Sequence, residues 1–124
     1  MSRLLVVDDE ANIRLLYAEE LKDEGYEVVT AANSAEAAEK LHGGTFDLAV
    51  LDIKLKNESG IELLQKLVKE RHEMPVILCS AFSCYKDDFS AWLADGYVVK
   101  SGDLTELKQE IARVLAKKAQ KLKA

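Results

Sequence analysis

One hundred and twenty-four residues suffice for one domain that buries roughly 65–70% of the surface its unfolded chain exposes, so folding requires neither a disulfide nor a metal. Apolar residues at 48% and charged residues at 31%, with Pro75 the lone proline among six glycines, exclude collagen-like, proline-rich and low-complexity chains. The net charge of −5 argues against a nucleic-acid partner, and no apolar run is long enough for a membrane span or a signal-peptide core, so a cytoplasmic chain is expected.

Leu4–Val7 is a short, wholly apolar run that stops at Asp8-Asp9-Glu10, as a strand buried on both faces does. The period then changes. Ile13, Leu16, Tyr17 and Leu21 recur at helical spacing over residues 10–24, and Gly25 ends the helix. Tyr26–Thr30 reads as the second strand. Asn33 with Glu36 starts a second helix, and Gly43-Gly44 ends it. Phe46–Leu51 is a third apolar strand running into Asp52, and a loop is expected at Ile53–Glu58. Ser59-Gly60-Ile61-Glu62 has the form of a capping box, with Ile61, Leu64, Leu67 and Val68 as the buried stripe of the third helix. Pro75 opens a fourth strand, Val76–Cys79, ending at Ser80. A weaker helix occupies residues 84–94. Tyr97–Val99 is a fifth strand ending at Lys100. Asp103 with Glu106 caps the last helix, whose stripe is Leu104, Leu107, Ile111, Val114 and Leu115.

Strands alternate with helices throughout, which defines an α/β fold: one five-stranded parallel sheet, doubly wound, with right-handed crossovers and helices on both faces. No repeat, linker or second domain remains, so residues 1–124 read as a single domain. The charge is uneven. Residues 108–124 carry six lysines and arginines against Glu110, a local +5 that leaves −10 for the rest. A basic last helix matches its own dipole and reads as a solvated face. Cys79 and Cys84 are too few for a disulfide framework or a zinc site and read as reduced thiols, one in the core. His42 and His72 fall at polar segment ends and read as surface residues.

Ligands in such folds bind beyond the carboxyl ends of the strands, where the strand order reverses. There the first strand delivers Asp8 and Asp9, the third Asp52, the fourth Ser80 and the fifth Lys100. Taken singly, each has a plain structural reading: a helix cap, a loop carboxylate, a turn hydroxyl, a solvated lysine. Their shared position after four separate strands points instead to one pocket. Packed carboxylates repel one another, and a hard divalent cation such as Mg²⁺ resolves that conflict with all-oxygen ligation. A cation, a lysine and a hydroxyl around one carboxylate describe a phosphoryl-transfer site, with Asp52 as the nucleophile.

These residues sit in LLVVDDE, LAVLDIKLKNESG, VILCSA and GYVVK, and with them the chain resembles a response-regulator receiver domain of two-component signalling, CheY-like, over essentially its whole length. The resemblance implies a flavodoxin-like (βα)5 fold with strand order 2-1-3-4-5. It also implies that Asp52 is the phosphoacceptor. Asp9 and Asp52 would bind Mg²⁺ directly with the backbone carbonyl of Lys54, and Asp8 through a metal-bound water. Ser80 and Lys100 would bind the phosphoryl oxygens. Tyr97 would be the aromatic that swings inward as Ser80 moves; its plain structural reading is a half-buried edge-strand residue. The side chains best placed to orient a hydrolytic water would be Lys54 and Phe82, neither of which accepts a hydrogen bond from it.

The chain also departs from the family pattern. Lys56 stands where the family often has proline, and Ser80 where it more often has threonine. Lys100-Ser101 replaces the usual Lys-Pro with its cis bond; without proline a cis bond costs about 3 kcal/mol.

The first functional reading is therefore a stand-alone receiver. It takes a phosphoryl group from a sensor histidine kinase or phosphotransfer protein and signals to a downstream protein through its fourth helix, fifth strand and fifth helix, with phosphorylation able to drive homodimerisation there. It is consumed as a substrate and is not an enzyme. A phosphatase working through an aspartyl phosphate would place a general acid two residues after the nucleophile, where this chain has Lys54. A receiver-shaped binding module that works without phosphorylation has no need of Asp8, Asp9, Asp52, Ser80 and Lys100 together. No glycine-rich loop follows the first strand, which argues against a dinucleotide or flavin protein.

Overall fold

A computed structural model describes residues 2–52, 54–55, 58–70, 74–80, 94–99 and 103–123, with 54–55, 58–61, 80 and 120–123 described in their backbone alone. The elements run β1 (Arg3–Val7), α1 (Ala11–Asp23), β2 (Glu27–Ala31), α2 (Ser34–His42), β3 (Leu48–Asp52), β4 (Lys54–Leu55), β5 (Glu58–Ser59), α3 (Gly60–Glu70), β6 (Val76–Ser80), β7 (Gly96–Val99) and α4 (Thr105–Lys123).

Leu4–Val7 and Leu48–Leu51 are buried along their whole length, because helices cover both faces of the strands that carry them. The five long strands form one parallel sheet in the order β2-β1-β3-β6-β7, as expected. β2 and β7 are its edges and are correspondingly less buried. Alternation along each strand splits the core in two. Leu5, Val7, Ala49, Leu51, Val76 and Leu78 face α2 and α3, meeting Ala37, Leu41, Leu63, Leu64 and Leu67. Leu4, Val6, Leu48, Val50, Ile77 and Cys79 face α1 and α4, meeting Tyr17, Leu21, Leu104, Leu107, Ile111 and Val114.

The helix ends follow the local chemistry. Gly25 has φ +95°, the left-handed position that ends a helix most cheaply when no Cβ is present. Its N–H donates to the Lys22 carbonyl at 2.9 Å, and the Tyr26 N–H donates to the Leu21 carbonyl at 3.3 Å, so two orphan carbonyls of α1 are satisfied. Asn33 Oδ1 accepts from the Glu36 N–H at 2.9 Å and starts α2. α4 is capped differently from expectation. Asp103 Oδ1 accepts from the N–H and the hydroxyl of Thr105, at 2.9 and 2.6 Å, and the partner is therefore Thr105 rather than Glu106. Those two bonds hold the Asp103 carboxyl below the usual range, because they favour its charged form.

Three further details differ from the sequence reading. β3 begins at Leu48, not Phe46, and includes Asp52. The expected loop at Ile53–Glu58 contains part of a small antiparallel ribbon, with Lys54 opposite Ser59 and Leu55 opposite Glu58. Leu63 joins the buried face of α3. The helix expected over 84–94 lies outside the described residues, except for the half-buried Ala94. Cys84, His72 and the Lys100-Ser101 bond also lie outside them. His42 is exposed and Cys79 is a buried thiol, both as expected.

Candidate functional site

Asp8 and Asp52 are, among the described residues, the two buried charged side chains, at 2% and 5% exposure. The topology explains how they meet. β1 and β3 are neighbours, yet the chain leaves β1 toward β2 on one side and returns to β3 on the other. The carboxyl ends of β1 and β3 therefore face the switch point of the sheet. Val7 pairs with Leu51, so Asp8 and Asp52 emerge level with each other. One carboxylate oxygen from each of Asp8, Asp9 and Asp52 lies within 4.8 Å of the other two.

The helix-cap reading of Asp8-Asp9-Glu10 does not describe this arrangement. The residue at the cap position of α1 is Glu10, which makes no side-chain cap bond. Asp8 instead accepts the Glu10 N–H at 2.9 Å, and its own N–H donates to the Ala31 carbonyl at 3.1 Å. Arg14 Nη1 donates to the Asp8 carbonyl at 2.7 Å. The short segment after β1 is thus fixed by β2, by α1 and by itself.

The other expected site residues are placed less completely. Ser80 ends β6 next to β3 and pairs with Val99, and Lys100 directly follows Val99. This brings the backbone of Ser80 to the same end of the sheet; Lys100 itself and Phe82 lie outside the described residues. Lys54 lies two residues beyond Asp52 in β4, described in its backbone. Tyr97 is half-buried on edge strand β7 and packs toward the α2–α3 core.

Two features escaped the sequence reading. One is the Arg14 contact to Asp8. The other is Tyr17, whose hydroxyl lies 3.4 Å from Cys79 Sγ in the core. Burial foremost, then Cys79 and the carboxylates of Asp8 and Asp52, push the Tyr17 hydroxyl far above its ordinary range, so it stays protonated. A tyrosine in the apolar stripe of α1, where a leucine would fill the same space, was the available signal.

Three hard oxygen donors, two of them buried and mutually repelling, fit a divalent cation of the Mg²⁺ type. An aspartate triad at the switch point of a doubly wound parallel sheet suits the phosphoryl-transfer and metal-dependent signalling class of such folds. Within that class the chain belongs to the response regulator receiver domain family, whose model matches residues 4–112. It is 32% identical to the response regulator ArlR of Staphylococcus saprophyticus over 98% of its own length and 56% of that protein's. The chain thus spans little more than half of such relatives. The response regulator protein TrrA of Thermotoga maritima, solved in complex with Mg²⁺-BeF, superposes with a TM-score of 0.87 at 47% identity, covering 91% of this chain and 98% of that one. A structure of the histidine kinase ThkA in complex with TrrA matches at 47% identity with a TM-score of 0.86, covering 93% and 99%. A CheY-like receiver domain protein from Methanospirillum hungatei matches at 32% identity with a TM-score of 0.91, covering 98% of each chain.

Proposed function

We propose that this chain is a phosphorylation switch in which Asp52 accepts a phosphoryl group from a histidine kinase or phosphotransfer protein. The observation that carries the reading is the cluster of Asp8, Asp9 and Asp52, brought together at the switch point with two of the three buried. The TrrA structures with Mg²⁺-BeF and with a histidine kinase support it.

Asp9 and Asp52 would hold Mg²⁺ together with the backbone carbonyl of Lys54, and Asp8 would act through a water. A bound cation would supply neutralising charge to the phosphoryl oxygens. An Asp52 carboxylate oxygen forms the new bond to phosphorus as the donor's P–N bond, or the P–O bond of acetyl phosphate, breaks and its electron pair leaves with the donor. Ser80 donates a hydrogen bond and Lys100 a positive charge to the transferred group. Tyr97 on β7 then follows Ser80, and the changed surface of β7, α4 and residues 84–94 meets a downstream protein or a second copy of the chain. Residues 1–124 work as one receiver domain. Because Asp52 is consumed in the reaction, the chain is a substrate and not an enzyme. Among the described residues no helix is long and apolar enough to cross a membrane, and a cytoplasmic site of action fits the reading.

The test is incubation with acetyl phosphate and Mg²⁺ followed by intact-mass spectrometry. One phosphoryl group is expected on the native chain and none on Asp52→Asn. Labelling of the variant would move the nucleophile elsewhere. Continued turnover of acetyl phosphate without stable labelling would favour the phosphatase reading.

A further inference from the structure

Tyr17 and Cys79 are both almost fully buried, and neither has a part in the chemistry above. Their position gives them one. Cys79 is the direct register partner of Asp52 across β3 and β6, so the two side chains stand on the same face of the sheet. Leu4 and Val6 of β1 also point to that face, and Asp8 continues their alternation. Asp8, Asp52 and Cys79 therefore form one row across three strands at the carboxyl end of the sheet. Tyr17, reaching down from α1, bonds the end of that row, with its hydroxyl 3.4 Å from Cys79 Sγ.

Asp52 needs such support because it is the last residue of β3. Asp52 and Cys79 are the last described register pair of β3 and β6, and side-chain packing at this pair adds to what the backbone fixes. Cys79 borders Asp52 on the β6 side and immediately precedes Ser80. A nucleophile displaced by about 1 Å loses roughly a hundredfold in rate, so even small relaxation at this row is costly. Burial keeps the Tyr17–Cys79 contact intact, since breaking it leaves a buried hydroxyl without its thiol.

We propose that Tyr17, acting through Cys79, is a positioning residue for phosphoryl transfer: it ties α1 to the strand end that borders Asp52 and carries Ser80. This rests on the receiver reading of Asp52.

The experiment follows phosphoryl uptake from acetyl phosphate at saturating Mg²⁺, by intact mass against time, for native chain, Tyr17→Phe, Cys79→Val, Cys79→Ser and the Tyr17→Phe/Cys79→Val double variant. Saturating both reagents makes the limiting rate report positioning and not affinity. Tyr17→Phe and Cys79→Val are expected to lower that rate roughly fivefold, equivalent to about 1 kcal/mol of lost contact. Cys79→Ser, which keeps a hydrogen-bonding partner for Tyr17, is expected to stay near the native rate. The double variant is expected to be no slower than either single one. If Tyr17→Phe labels at the native rate, or if Cys79→Ser is as slow as Cys79→Val, the positioning role is overturned, whatever happens to thermal stability. A native chain that takes no phosphoryl group overturns the receiver reading and this inference together; native labelling with an unaffected Tyr17→Phe overturns the inference alone.

Discussion

Asp95 and Val76 hold each other twice. The Val76 N–H donates to Asp95 Oδ2 at 2.9 Å, and the Asp95 N–H donates to the Val76 carbonyl at 2.7 Å. This pinch sits where β6 and β7 begin and sets their register, which runs from Ile77–Gly96 to Ser80–Val99. Register at the start of the two strands thus decides which residues arrive at their carboxyl ends, where the proposed function employs Ser80 and the residue after Val99. Arg113 Nη2 adds a bond to the Asp95 carbonyl at 3.0 Å. Asp95→Ala is expected to lower the unfolding free energy by about 1–3 kcal/mol, because the Val76 N–H loses its acceptor. Asp95→Asn keeps an amide oxygen there and should lose less than half as much. Urea unfolding midpoints of the two variants check this, and equal losses would assign the effect to charge instead.

Gly96 and Gly43 make a contrasting pair. A Cβ on Gly96 would lie 2.7 Å from Glu110 Oε2 and 3.2 Å from Ile77 Cγ1. Glu110 Oε2 is the end of a flexible side chain whose bonds to Arg113, at 2.9 and 3.0 Å, are exposed and weak restraints, so it can shift, and Ile77 Cγ1 is the contact that resists. Gly96→Ala is expected to cost about 1–2 kcal/mol through overpacking. At Gly43 the nearest atoms to such a Cβ are 3.6 and 3.7 Å away and φ is −83°. Gly43→Ala is expected to be neutral or to stabilise by up to about 1 kcal/mol, by restricting the unfolded chain. Calorimetric melting should fall for Gly96→Ala and stay level or rise for Gly43→Ala.

The sheet was legible because buried parallel strands leave apolar runs, as in Leu4–Val7 and Leu48–Leu51, each stopped by a carboxylate; the sequence alone places the start of β3 two residues early, at Phe46, across Asp47. The aspartate cluster was legible for the same reason: strand ends in this topology converge on one place. What the sequence did not disclose depends on side chains that meet across long separations. Tyr17 looked like any member of a helical stripe, and only the fold sets it against Cys79, 62 positions away. The Asp103 cap was assigned to Glu106 by spacing, whereas the nearer hydroxyl of Thr105 competes successfully for the same oxygen. The β4–β5 ribbon carries no alternating apolar pattern, being built from lysine, leucine, glutamate and serine, so it read as a loop.

The phosphorylated chain is expected to be long-lived. Hydrolysis requires a water aligned behind phosphorus, and the resemblance to receiver domains assigns its orientation to the positions of Lys54 and Phe82. Neither residue type accepts a hydrogen bond from that water. Losing one orienting contact of about 1.4 kcal/mol slows the step roughly tenfold, and a barrier of about 20 kcal/mol corresponds to a lifetime on the order of minutes. Loss of phosphate from purified protein is measured for native chain and for Phe82→Asn or Phe82→Glu, both expected to be faster. A native lifetime of seconds, or rates unchanged by substitution, removes these positions from control of the water.

The aspartate triad should also cost the fold stability when no cation is present. Two unit charges within 4.8 Å repel by about 3 kcal/mol at an effective dielectric near 20, and two of the three carboxylates are almost wholly buried. Asp52→Asn removes one of the charges while conserving shape. In buffer with a chelator, the variant is therefore expected to unfold at higher urea than the native chain, by about 1–3 kcal/mol, the remainder being offset by hydrogen bonds an amide makes less well. Mg²⁺ narrows the difference. At a hundred times its dissociation constant it adds about 2.7 kcal/mol to a chain that binds it only when folded, and the variant, lacking one ligand charge, gains less. Asp8→Asn serves as the second case, because its amide oxygen can still accept the Glu10 N–H. Urea titrations of all three proteins, with chelator and with Mg²⁺, decide the matter. Native chain more stable than both variants in chelator would show that the carboxylates are held by contacts stronger than their mutual repulsion.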